Sequence, residues 1–156
     1  MSTAAFITRD EFLKLWQGHR GLTRRTIEKF PEEELFNFSI GGMRTFAELA
    51  KELLTIGLPG LIGIVNKTED PLSHEIAITS KEEMLKMWDE QTPLINEYFN
   101  RIKDEEFHEV INLFGSYKNA NYSNLFYFLT NEIHHRGQGF VYLRSLGIEP
   151  PFFWEH

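Results

Sequence analysis

Three points along the chain carry the same local instruction, a hydroxyl residue followed three positions later by glutamate: Thr8 with Glu11, Thr45 with Glu48, and Ser80 with Glu83. In such a pair the hydroxyl accepts from the third backbone amide and the carboxylate reaches back to the capping amide. This satisfies N–H groups that a helix start otherwise leaves without partners. Each pair also precedes an apolar pattern of helical period. Phe12, Leu15, Trp16, Leu22 and Ile27 mark a first helix that runs to Lys29 and stops before Pro31. Phe46, Leu49, Ala50, Leu53, Gly57, Leu61 and Ile64 form the stripe of a second, with Pro59 expected to bend or shorten it. Met84, Leu85, Trp88, Leu94, Ile95, Tyr98 and Ile102 mark a third, in which Pro93 predicts a kink.

Between the second and third helices lies NKTEDPLSHEIAIT, Asn66 to Thr79, too long for a simple helical hairpin. It reads as a crossover linker, which lets those two helices run parallel. A polar, irregular stretch around FHEVINLFGSYKNANYSN leaves room for a short extended piece before a fourth helix begins near Ser123 and ends at Gly147. The expected architecture is all-α, a four-helix bundle around one core, occupying 1–156 as a single domain. The tail IEPPFFWEH is non-helical at its prolines and is expected to pack across the bundle or against a partner subunit.

Composition narrows the function classes. Sixteen Lys plus Arg against 23 Asp plus Glu give a net charge of −7, which disfavours phosphate backbones and anionic lipid; Arg20, Arg24 and Arg25 are too few to reverse it. No nucleic acid and no membrane are therefore expected as partners. The absence of cysteine removes disulfides, thiolate metal sites and a Cys nucleophile. The first residues lack a basic region followed by an apolar run, so a cytoplasmic protein is the expectation. The acidic runs at Glu32 to Glu34 and Asp104 to Glu106 read as solvated helix ends.

The chemistry concentrates in the fourth helix, at NEIHHRGQG, residues 131–139. Side chains four apart stand one above the other, so Asn131 and His135 share a face that continues to Gln138 and Tyr142. His134 points about 100° away, and the doublet is two residues with two roles rather than one chelating pair. Glu132 and Arg136, in acid-before-base order, predict a surface or interhelix ion pair. His19, beside Gly18 and Gly21, is a substitute candidate for a cleft. His74, His108 and His156 are weaker ones. Gly137 and Gly139 suggest close helix packing or a local irregularity.

NEIHHRGQGFVYLRSLGIEPP, together with the upstream GGMRTFAELAKELL, resembles the signature helices of the DinB family of four-helix metalloenzymes. The resemblance implies up-down-down-up connectivity, a homodimer, and one divalent metal, nickel or zinc, held by one histidine of the second helix and two of the fourth. It also implies an unknown small-molecule ligand and a hydrolase or thiol-transferase activity. Carried onto this chain, the ligand positions fall at Glu52, Asn131 and His135, with His19, Gln138 and Tyr142 as substrate-cleft candidates. Two of the three imidazoles are thus replaced. An amide oxygen is a poor donor to zinc or nickel, so the triad fits either a weakened metal site or a metal-free hydrogen-bonded cluster in a small-molecule-binding or interaction protein.

Overall fold

The computed structural model describes residues 4–73 and 75–156. His74, one of the weaker candidates, lies outside the described residues. Among the described residues there are five α-helices: α1 (Arg9–Lys29), α2 (Glu32–Asn37), α3 (Phe46–Asn66), α4 (Lys81–Phe99) and α5 (Asn121–Ser145). A short 3-10 turn (Asp104–His108) and an antiparallel hairpin, β1 (Val110–Leu113) with β2 (Tyr117–Ala120), precede α5.

Capping boxes start α1 at Thr8 and α3 at Thr45 as expected. At α4 only half of the motif forms: Ser80 accepts from the Glu83 amide, but the Glu83 carboxylate takes the N–H of Thr79 instead. Neither Pro59 nor Pro93 ends its helix, so each element absorbs the loss of one i→i−4 bond. The acidic run at Glu32 is not merely a solvated end. It opens α2, and the Glu32 carboxylate accepts the first amide of α4, from Lys81, at 2.8 Å. The irregular stretch before α5 is the hairpin, whose turn needs positive φ at Phe114 (56°) and Gly115 (70°).

Side-chain pairs fix the directions of the helices. Arg9 reaches Phe99 and Arg20 reaches Trp88, so α1 and α4 are antiparallel. Phe46 meets Gly139 and Gly60 meets Phe128, so α3 and α5 are antiparallel. Phe12 packs on Phe126 while Thr23 bonds Glu132, so α1 and α5 run parallel. The four long helices therefore follow up-down-down-up order, with residues 67–80 as the crossover that allows parallel α3 and α4. Ile78 pins that crossover into the core at 3% exposure.

The core has two apolar clusters. One gathers Ile27, Phe30, Phe46, Trp88 and Tyr142; the other gathers Phe12, Trp16, Leu61, Phe99 and Phe128. Between them, at mid-height, each long helix contributes buried or half-buried polar side chains: Arg20 and Thr23, Glu52, Gln91, and Asn131, Glu132, His135 and Arg136. No described helix is long and apolar enough to cross a membrane. The tail turns back over α1, where the ring of His156 stacks on His19 at 4.0 Å and Arg25 contacts the Glu155 carbonyl. Phe152, Phe153 and Trp154 stay exposed.

The two α5 glycines separate cleanly. A Cβ at Gly139 would lie 2.5 Å from the fully buried Phe46 ring, whereas one at Gly137 would meet nothing within 4 Å. Gly139→Ala should destabilise by about 1–3 kcal/mol through overpacking. Gly137→Ala should stabilise by about 0.5–1 kcal/mol through helix propensity. Urea unfolding midpoints check both, and equal shifts for the two variants would contradict the packing described.

Candidate functional site

The Glu52 carboxylate faces α5 across the antiparallel seam between α3 and α5. Because Asn131 and His135 are one helical turn apart, both side chains reach the same oxygen: Asn131 Nδ2 donates to Glu52 Oε2 at 3.3 Å, and His135 Nε2 contacts that oxygen closely. The other oxygen, Oε1, accepts from Arg44 Nη1 at 3.0 Å. Arg44 precedes the Thr45 cap, and its carbonyl accepts the hydroxyl of the fully buried Tyr142 at 2.8 Å. The start of α3 is thereby tied to α5, and the arginine side chain lies along the first turns of its own helix toward Glu52.

The environment divides by depth. Glu52 and His135 side chains are 16% and 10% exposed, while Arg44 is 49% exposed and forms the outer lip. The hydrogen bond from His135, and more weakly that from Arg44, hold the Glu52 carboxyl down to about 2, against the burial that pushes it upward. Since His135 presents Nε2 to an ionised carboxylate, that nitrogen carries the proton in both the neutral and the charged ring. Gln138 Oε1 lies 3.5 Å from His135 Nδ1, at the outer limit of a hydrogen bond.

A zinc or nickel site requires three or more lone pairs converging on one point. Here both carboxylate oxygens accept from protein donors. Beside an anion, Asn131 must turn its amide N–H rather than its oxygen, and the facing imidazole nitrogen is protonated. The Arg44 guanidinium adds a positive charge at the other carboxylate oxygen, which weakens the attraction of Glu52 for a divalent cation. Among the described residues no group of three His, Asp or Glu side chains is arranged to hold a metal. The donor set as arranged does not fit the metal that the resemblance implies.

Of the sequence candidates, Glu52, Asn131 and His135 come together, with Gln138 beside them. Tyr142 is in the core and acts on Arg44 through its backbone. His19 belongs to another cluster, on the α1–α5 seam, where its Nδ1 faces Arg136 Nη2 at 2.8 Å. Burial first, then Arg136 and His156, lower its pKa to about 4, so it is neutral at pH 7. Of the two placements expected for Glu132 and Arg136, surface or interhelix, the structure shows the interhelix one, with each residue bonded to α1 rather than to the other. Both are buried, at 3% and 4% exposure, and each bonds α1: Thr23 donates to Glu132 at 2.6 Å, and Arg136 donates to the His19 carbonyl at 3.0 Å. His134 is exposed and lies 3.5 Å from Gln138.

The residue that sequence reasoning left out of the site is Arg44. Its signal was present, since an arginine just before a helix cap can reach a carboxylate two turns in. Beside it opens a cleft of ≈ 920 Å³ lined by Arg44, Glu48, Lys51, Glu52, Glu75 and Ile76 among others.

With that geometry, the match to a family model over residues 1–155, described as the DinB family, is decisive. The chain belongs to the DinB family. Its fold is also that of solved DinB-like proteins. One from Bacillus cereus ATCC 10987 has 19% identity and a TM-score of 0.74, with 92% of this chain and 95% of that chain covered. Another, from Bacillus subtilis, has 24% identity and a TM-score of 0.72, covering 93% and 99%. At those identities the DinB likeness carries the fold. Comparison with curated proteins finds no match.

The Glu52 cluster has a pH signature. Folding lowers this carboxyl from 4.5 to about 2, so its contribution is complete above pH 4.5 and is lost as pH falls toward 2. Wild-type urea midpoints should therefore drop more steeply across that window than those of Glu52→Gln. Parallel curves would refute the assignment.

Proposed function

We propose that this DinB-family chain is a metal-free small-molecule-binding protein, with its ligand in the cleft beside Arg44 and Glu52. The observation that supports it is the donor set on Glu52: Arg44 supplies positive charge to one oxygen, and Asn131 and His135 turn N–H groups rather than lone pairs toward the other. The cleft places the Arg44 and Lys51 cations beside the Glu48, Glu52 and Glu75 carboxylates, which suits a small polar ligand carrying charge. Large polyanions are disfavoured by the net charge of −7.

The competing reading is a nickel- or zinc-dependent hydrolase or thiol transferase at Glu52, Asn131 and His135. It requires Glu52 to exchange Arg44 and His135 for the ion, and His135 Nε2 to lose its proton. Elemental analysis separates the two readings. Protein purified without a metal-affinity tag, incubated with nickel, zinc or manganese and desalted, should hold far less than one ion per chain. His135→Ala and Glu52→Ala should look the same. Stoichiometric metal in the wild type that vanishes in both variants would overturn the metal-free reading and favour the enzyme.

The same reading takes a second copy of the chain as partner. Support comes from the tail, which is fastened to α1 through His156 while Phe152, Phe153 and Trp154 present a stacked and edge-on aromatic group to the outside. Sedimentation should give a dimer that Trp154→Ala weakens; a monomer at all concentrations would contradict it.

A further inference from the structure

A second cavity lies at the opposite end of the bundle, where α1 and α5 begin and α4 ends. It measures ≈ 280 Å³ and shares no lining residue with the Glu52 cleft. Phe12, Phe99 and Leu125 belong to the buried core and form its interior, with Phe107 and Phe126 as further walls. The rings are mutually fixed: Phe12 stacks on Phe99 at 5.9 Å and meets Phe126 edge-on at 5.0 Å, and Phe99 lies 6.0 Å from Phe107. Apolar cavities of ~150 Å³ already hold a benzene ring, so this one has room for two fused rings.

The polar groups at the mouth select among ligands. Arg9 is committed, donating to Asp104 Oδ1 at 2.9 Å and to the Phe99 carbonyl at 3.0 Å, so it is not available to an anion. Its guanidinium also lies 5.5 Å and 5.1 Å from the Phe99 and Phe107 ring centres, so a cationic ligand would meet a like charge on the faces it needs. Thr8 also lines the mouth, with its hydroxyl engaged as the α1 cap; beside it stand the exposed His108 imidazole and the Tyr122 hydroxyl, with ring centres 5.2 Å apart. We propose that this pocket binds a neutral aromatic molecule of one or two rings bearing one hydroxyl or N–H, its ring among the phenylalanines and its polar group at His108 and Tyr122.

Phenol, indole and toluene are suitable probes, titrated into the full chain and followed by NMR. All three should shift resonances of Phe107, Tyr122, Leu125 and Phe126 while leaving Arg44 and Lys51 unmoved. His108→Ala should weaken phenol about fivefold, the equivalent of one neutral hydrogen bond, and leave toluene unchanged. Leu125→Phe should abolish binding of all three, and should that variant fail to fold, the wild-type shift map and the His108→Ala comparison still decide. No shifts at the solubility limit, shifts centred on Arg44 and Lys51, or equal weakening of toluene and phenol in His108→Ala would each overturn the proposal. None of these outcomes bears on metal content at Glu52, so the two readings fail separately.

Discussion

Halfway along the bundle, all four long helices carry polar or ionised side chains at the same height, and a carboxylate withdrawn from water there must be met by donors. On α3 the demand is acute, because most of that helix is buried by its neighbours. Glu52 answers it with an arginine from the start of its own helix and an imidazole and an amide from α5. Glu132 answers it with the hydroxyl of Thr23, while burial raises its pKa and the charges of Arg20 and Arg136 oppose that rise. The two apolar clusters on either side of this layer supply the area that drives folding. The polar layer fixes which residues face one another, since a slip of one turn would leave these groups without partners.

The two carboxylates differ in a way that bears on function. Glu132 is sealed between α1 and α5 at 3% exposure. Glu52 has one edge toward the interior and one toward Arg44, which is half in solvent. Of these two carboxylates, Glu52 is the one with a contact, to Arg44, that solvent reaches. Tyr142 belongs to this arrangement although it is fully buried: by bonding the Arg44 carbonyl it sets where the guanidinium begins, a positioning role that an apolar ring of the same size would not reproduce.

Much of the bundle was legible in the residues. The hydroxyl–glutamate pairs located three helix starts, the length of the linker allowed α3 and α4 to be parallel, and the spacing of Asn131 and His135 placed both on one face. Other features depended on contacts that no local pattern encodes. The charge run at Glu32 gave no sign that one carboxylate would cap α4. The spacing of Glu132 and Arg136 left a surface and an interhelix placement open; α5 turns that face against α1, and each finds its hydrogen-bond partner on the other helix. Proline at position 59 signalled a bend or a shortening and proline at 93 a kink; both helices continue past their proline, each with one bond fewer. Arg44 was visible as part of a motif and not as a member of the site, because its role appears only once Glu52 is seen lacking a metal-like set of neighbours.

The Glu52 cluster rests on an ionised carboxylate held by Arg44, Asn131 and His135. Carbon-detected NMR of the Glu52 Cδ, titrated in acid alongside the Arg44 Nε–Hε resonance, tests this most directly. A carboxyl midpoint far below those of the other glutamates, near the value of about 2, with the arginine signal moving in step, is the predicted result. A Glu52 midpoint close to the ordinary 4.5, with Arg44 indifferent to it, would contradict the account.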